Sequence, residues 1–335
     1  MIAYVSCAGD HAVRVYRCGV TAPCLEMVAT VSVPDRSRAA GISMPLAITP
    51  DRRHLLAALR SEPFALATFE IASDGTLRYQ GLSALAQSLA SIKVDASGRW
   101  LIGASFGGRA ITVHEIGHDG FLLPQRQRVL EPGSKVHDVA LHPSNKWVYA
   151  TLFERGCILP LRFDPDSGAL EPEDDLIAGG GPSPRHACID ARGRYLYVLN
   201  ETSVDVDVYA VDADTGRARH IQAVAQQSPK GGQPVSGADL RLAPSGRELY
   251  SSERNSATIS VFAVEGDSGL LGSPAAFAIE RVPRSFAISP SGNLLLSGGE
   301  SANTLALFAL SDDQPPVHLA TTATGVAPNW IEFLQ

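Results

Sequence analysis

The chain has 335 residues, 45% of them hydrophobic and 19% charged, with a formal charge of −7. That balance excludes a disordered or low-complexity protein, and the lack of a basic excess argues against a nucleic-acid partner. The opening MIAYVSCAGDHAVRVYRC has no basic stretch ahead of an apolar run, and no window approaches the roughly 18 apolar residues of a membrane helix, so neither a signal peptide nor a membrane span is expected.

The N-terminal AYVSC and AVRVYRCG read as two short strands. From Leu46 a unit then recurs: apolar strand, tight turn, second apolar strand, polar loop, alternating strand, acidic glycine turn. Its copies are LAITPDRRHLLAAL, SIKVDASGRWLIGA, DVALHPSNKWVYAT, ACIDARGRYLYVLN, LRLAPSGRELYSSE and FAISPSGNLLLSGG. The turns start at Pro50, Asp95, Pro143, Asp190, Pro244 and Pro290, giving successive spacings of 45, 48, 47, 54 and 46 residues. A third strand follows in each unit (ALATFEI, AITVHEI, CILPLRF, VDVYAV, TISVFAV, TLALFAL), closed by turns such as SDGTL or PDSGAL. Period-2 strands with hairpin signals, repeated in the mid-forties and without long amphipathic helices, predict a β-propeller. The C-terminal APNWIEFLQ resembles a first strand. Joined to the N-terminal strands it completes a further blade and removes the open edges. The expectation is all-β: one propeller domain over residues 1–335 with seven four-stranded antiparallel blades, the two ends of the chain sharing one. Six or eight blades are the alternatives.

This meander places the residues before strand one and after strand two at one face, opposite the tight turns. Before strand one stand Val136-His137-Asp138, Pro184-Arg185-His186, Gly237-Ala238-Asp239, Pro283-Arg284 and Asn329-Trp330. After strand two stand Arg60, Ser105-Phe106, Glu154-Arg155, Asn200-Glu201, Glu253-Arg254 and Glu300. Bases, acids and anion binders share this face.

Gly-x-x-Pro-Ser-Pro-Arg-His, Tyr-Leu-Tyr-Val-Leu-Asn-Glu, Glu-Arg-Asn and Val-Pro-Arg-Ser-Phe occur in that order. In this the chain resembles the lactonase family of seven-bladed propellers, which includes bacterial 6-phosphogluconolactonases and fungal carboxymuconate lactonizing enzymes. The resemblance runs over the whole chain. It implies an active site in the central cleft with a His, Arg and Glu group, matched here by His137, Arg185 and Glu201. The chain departs from the family pattern with Ser105-Phe106 for Asn-Tyr, Glu253-Arg254 for Asn-Arg, Gly299-Glu300 for Asn-Gln, and Thr151 for an Asp.

The expected activity is metal-independent hydrolysis of an anionic sugar lactone. The alternatives are lactonization or isomerisation of a muconate-type dicarboxylate, and a non-catalytic interaction propeller. Lactone opening needs a base, oxyanion donors and a proton for the leaving alkoxide. His137 and Glu201 are the candidate bases, and Arg185 is the carbonyl-polarising group. His186, Asn200, Asp239, Glu253, Arg254, Arg284 and Trp330 are the candidate substrate-binding residues. Each has a structural reading beside it: Glu201 as a bridge to Arg185, His186 as a strand-end hydrogen-bond partner. His54, His114, His118, His220 and His318 read as surface residues, and Trp100 and Trp147 as inter-blade packing. Gly-Gly-Gly-Pro from Gly179 precedes a strand rather than a helix, so it is not a phosphate loop. No G-x-S-x-G elbow is present. The acidic glycine turns lack the Glu of a calcium loop. Five scattered cysteines without CxxC argue against zinc and disulfides. No cofactor, no nucleic acid, no membrane, a monomer and a cytoplasmic setting complete the expectation.

Overall fold

In six units the tight turn between strands one and two passes through positive φ, at Arg52 (61°), Gly98 (77°), Asn145 (57°), Gly193 (70°), Gly246 (69°) and Gly292 (75°). Glycine and asparagine bear that conformation at low cost, which is why they recur there. In four units a short polar side chain (Thr49, Asp95, Asp190, Ser289) ahead of the turn takes the turn's free amides. Asp95 accepts from the Trp100 N–H (2.8 Å), Asp190 from Tyr195 (2.7 Å) and the Ser289 hydroxyl from Leu294 (3.0 Å).

The computed structural model describes residues 1–22, 24–34, 41–173, 176–178, 180–226, 234–311 and 314–334, without the side chains of 124–129 and 178. Seven antiparallel sheets result. The innermost strands are Leu46–Ile48, Ser91–Val94, Val136–Leu141, Pro184–Ile189, Gly237–Leu242 and Pro283–Ile288 for blades 1 to 6, and Pro328–Phe333 for blade 7. Blade 7 then runs outward through Ile2–Cys7, Ala12–Cys18 and Leu25–Ser32, so both ends of the chain share it. The outer strand is broken in blade 3 (Ala169–Pro172, Ile177–Ala178) and in blade 5 (Leu270–Leu271, Ala275–Ala278). No helix occurs among the described residues, so none is long and apolar enough to cross a membrane.

Seven apolar clusters fill the seven gaps between neighbouring blades. Second strands such as His54–Leu59 and Trp147–Leu152 are buried along their length, whereas the outer Leu25–Ser32 alternates. An aromatic latch joins successive blades. Trp100, Trp147 and Tyr195 begin their second strands and lie over Gly168, Gly216 and Gly269 of the next blade's outer turn. A Cβ there would come within 2.5 Å of each ring. The ring polar atoms donate to carbonyls of the same turns, Trp100 to Pro165 (2.7 Å) and Trp147 to Ala213 (3.0 Å). The packing role expected for both tryptophans is what the structure has.

Two histidine readings are corrected. His54 and His114 are buried rather than on the surface, because each points into a gap between blades. His220 is partly exposed and pairs with a buried acid, its Nε2 3.0 Å from the Asp207 carboxylate.

Candidate functional site

The inner strands are not regular at their upper ends. Register shifts interrupt pairing at Val136/Val139, Pro184/Ala187, Gly237/Leu240 and Pro283/Ser285, and near Pro328 in blade 7. In three blades the residue before the strand's proline has positive φ: Ser183, Val282 and Ala327. A bulge re-aims the residues it contains. Here two consecutive residues per blade turn inward: His137-Asp138, Arg185-His186, Ala238-Asp239, Arg284-Ser285 and Asn329-Trp330. The ends of the second strands add Arg60, Phe106, Phe153, Glu201, Arg254 and Glu300.

These groups form layers. At the mouth, the Arg185 Nε donates to Glu201 Oε2 (3.0 Å), and the Arg254 Nη2 pairs with Glu201 Oε1 (2.7 Å). Two cations from blades 4 and 5 thus clamp one carboxylate. Arg254 is further tied to the Gly237 carbonyl (3.1 Å). Arg284 pairs with Glu300 (3.1 Å), and Arg60 donates to the Ser43 (2.7 Å) and Ser88 (3.2 Å) hydroxyls. Phe106 supplies an apolar wall. Its ring meets His137 at 5.7 Å and Phe153 at 5.2 Å.

One layer deeper, His186 Nδ1 stands 3.1 Å from Asp239 Oδ1 and 3.9 Å from Asp138 Oδ2. Asp239 also accepts from the Ser285 hydroxyl (3.0 Å) and the Phe286 N–H (3.2 Å), and Asp138 from the Ser91 hydroxyl (2.5 Å) and the Ala187 N–H (3.0 Å). Both buried acids therefore cross-link blades as well as facing His186. Trp330 lies against His186 at 5.8 Å and donates to Glu332 (2.9 Å). Beyond it, Arg241 bonds both Asp239 (3.4 Å) and Glu332 (3.7 Å) at the far mouth. There a cavity of about 340 Å³ is lined partly by Lys93, Arg241 and Glu332.

Burial and neighbouring charge set the protonation states. Burial, then the charges of Arg185, His186, Arg60 and Arg284, hold His137 well below its ordinary 6.5, so its ring is uncharged at neutral pH. His186 is lowered by burial and Arg185, against the opposing pull of Asp239. Burial and the neighbouring Arg254 push Arg185 down to about 9. Burial alone would raise Asp239, but Arg241 and His186 hold its carboxyl well below the usual range. Two buried polar atoms have no partner among the described residues and sit in this cluster: His137 Nδ1 and Arg185 Nη1. An orphaned donor in a cleft is a place for a ligand oxygen.

The structure thus brings together His137, Arg185, His186, Glu201, Asp239, Arg254, Arg284 and Trp330. It does not bring Asn200 or Glu253 to the cleft. Asn200 is fully buried and donates to Asp207 (2.8 Å), which also takes the Gly180 and Gly181 amides (3.1 Å each). It thereby fixes the loop leading to Pro184. Gly179 lies outside the described residues. Glu253 is fully buried, and its carboxylate takes the amides of Ser236 (2.6 Å), Asn255 (3.1 Å) and Ser256 (2.5 Å), so it caps its own turn. Arg60 and Glu300 are further members of the cluster. Their signal was positional, since both follow a second strand as Glu201 does. Among the described residues no group of three or more His, Cys, Asp or Glu stands close enough to share a metal.

The chain was compared with known proteins. A family described as "Lactonase, 7-bladed beta-propeller" matches residues 20–333. A 6-phosphogluconolactonase of Serratia proteamaculans is 29% identical over 99% of this chain and 98% of its own. One from Pectobacterium carotovorum is 28% identical with the same coverage. Among solved structures, the periplasmic gluconolactonase of Pseudomonas aeruginosa superposes with a TM-score of 0.86 at 22% identity, over 100% of this chain and 99% of that one. A Lactobacillus plantarum protein gives 0.87 at 19% identity, over 100% and 99%.

Proposed function

The chain belongs to the seven-bladed β-propeller lactonase family, and from that premise we propose that it hydrolyses a sugar lactone at the bulged mouth of its channel. The curated relatives named 6-phosphogluconolactonase support a phosphorylated aldonolactone as substrate. The single observation that carries the reading is the unpartnered, buried Arg185 Nη1 in the same cluster as the unpartnered His137 Nδ1.

In this reading the lactone carbonyl oxygen lies on Arg185 Nη1. That donor is preorganised because Nε is already fixed on Glu201. Water attacks the carbonyl carbon and its proton passes to His137, which is uncharged and free to accept it. The acyl–oxygen bond to the ring then breaks, and the same proton returns to the leaving alkoxide. Glu201 is already engaged, because Arg185 and Arg254 both hold its carboxylate. Its role is to position the two guanidinium groups.

One observation favours a second base. The Asp239 contact orients the His186 ring with Nδ1 as donor, leaving Nε2 as acceptor, the arrangement used by acid-backed histidine bases. The discriminating experiment follows hydrolysis of a lactone panel at constant pH, with chelator present, for wild type, His137→Asn and His186→Asn. The proposal expects turnover in chelator and the larger loss at His137. A larger loss at His186 moves the base one layer down. No turnover of any lactone by the wild type overturns the reading.

A further inference from the structure

Four arginines reach the cleft, and three of them face a carboxylate. Arg185 and Arg254 share Glu201, and Arg284 has Glu300. Arg60 has none among the described residues. It follows the second strand of blade 1, the position that supplies Glu201 in blade 4 and Glu300 in blade 6. Two hydroxyls hold it instead: Nη1 donates to Ser43 and Nε to Ser88. Nη2 is left uncommitted, and nothing among the described residues takes the proton of either hydroxyl.

Arg60 also reaches far inward. It starts on blade 1, yet the guanidinium of Arg284 on blade 6 disfavours its charge, and its own charge is felt by His137 on blade 3. Blades 3 and 6 do not adjoin blade 1, so the head lies toward the channel axis. In a ring of seven, blade 1 stands nearly opposite blade 4, which carries Arg185. The mouth therefore has two cationic arms. One is Arg185, Arg254 and Glu201; the other is Arg60, Arg284 and Glu300. Each counts two cations and one acid, a net charge of +1, but only in the first do both cations hold the acid.

We infer that Arg60, anchored on Ser43 and Ser88 and joined by Arg284, is the arm that recognises a phosphate monoester on the substrate, across the mouth from the reacting carbonyl. The inference rests on the lactonase reading for which group reacts. The physical argument for phosphate over carboxylate is charge and donor count. A phosphate monoester brings about −1.5 to −2 at pH 7 and three acceptor oxygens. The arm offers an unanswered positive charge, the free edge of a guanidinium fork and two hydroxyl donors. A lone carboxylate leaves part of that set unused. Burial of such a cation is costly until an anion joins it, so the arm is selective by leaving its charge unmet.

The test uses equilibrium binding by calorimetry on the whole protein, with 6-phosphogluconate, gluconate and inorganic phosphate as probes. Wild type is expected to bind the phosphorylated acid more tightly than gluconate. Arg60→Met is expected to lower affinity for the phosphorylated acid by roughly tenfold or more, the effect of losing a charge-assisted bond, and to erase the preference. Arg60→Lys, which keeps charge but not the fork, falls between them, and Ser88→Ala loses less in the same direction. In turnover, the ratio of kcat/KM for phosphorylated over unphosphorylated lactone falls by a similar factor, mainly through KM. Unchanged preference in Arg60→Met, or equal loss for both sugar acids, overturns the inference. Because binding is read without catalysis, a wild type that discriminates the probes but opens no lactone would count against the lactonase reading alone.

Discussion

Arg185 and Arg241 lie at opposite ends of one channel and show how differently the fold treats its two mouths. Both are largely buried arginines. Burial and the neighbouring Arg254 press Arg185 down to about 9, and its Nη1 has no partner. Burial opposes the charge of Arg241 too, yet Asp239 and Glu332 outweigh it and raise its pKa. At the far mouth Arg241 faces two acids, Asp239 and Glu332, although its Nε makes no hydrogen bond, and the strands there are regular. The near mouth is bulged, and its four arginines exceed the two acids that face them. A mouth whose cations outnumber their acids is equipped to bind an anion.

Substitutions should separate the two mouths. His137→Asn is expected to cost the most, about 10²- to 10⁴-fold in kcat, as for loss of a general base. The wild-type kcat/KM profile should stay flat through pH 6.5 and show its acid limb only well below it, because burial and the neighbouring Arg185 keep His137 unprotonated past its ordinary value. The linkage has the same sign. The unfolded chain takes up this proton near 6.5 and the folded one only lower, so stability falls as pH drops from 6.5 toward the folded value. Urea unfolding of His137→Asn should show a flatter slope in that window. Arg185→Met should follow with a loss of about 10²- to 10³-fold in kcat, the effect of removing an oxyanion donor.

At the far mouth the expected currency is stability. Arg241→Met leaves the buried Asp239 short of a cation and should cost about 3 kcal/mol in denaturant unfolding, with turnover reduced far less than in Arg185→Met. Asp95→Ala, in a tight turn, removes the acceptor of the Trp100 and Ser97 amides. It should cost about 1–2 kcal/mol with kcat/KM unchanged. If the Asp95 variant lost activity as steeply as Arg185→Met, the division between the two mouths would fail.

Much of this division was legible in the residues. The period of the tight turns located every inner strand, and the meander placed His137, Arg185, His186 and Arg284 on one face. Glu253 was read as a binding residue because its position is equivalent to that of groups near the cleft, and the structure turns its carboxylate onto its own loop amides. The direction of a side chain at a strand end depends on local backbone geometry that spacing does not encode. His54 and His114 were read as exposed for a related reason. Alternation tells which residues share a face, but in a propeller both faces of a blade are covered by neighbours.

The repeat, and with it the seven blades and the shared first and last strands, follows from the residues alone, because strand periodicity and turn chemistry are local properties. Which arginines keep their charge unmet depends on how the side chains meet in the folded ring. Glu201 serves Arg185 of its own blade and also Arg254 of the next, Glu300 stands beside Arg284 of its own blade, and no carboxylate among the described residues stands beside Arg60. Charge compensation falls off over a few ångströms of space, and Arg254 and Glu201, which meet at 2.7 Å, are 53 positions apart in the chain.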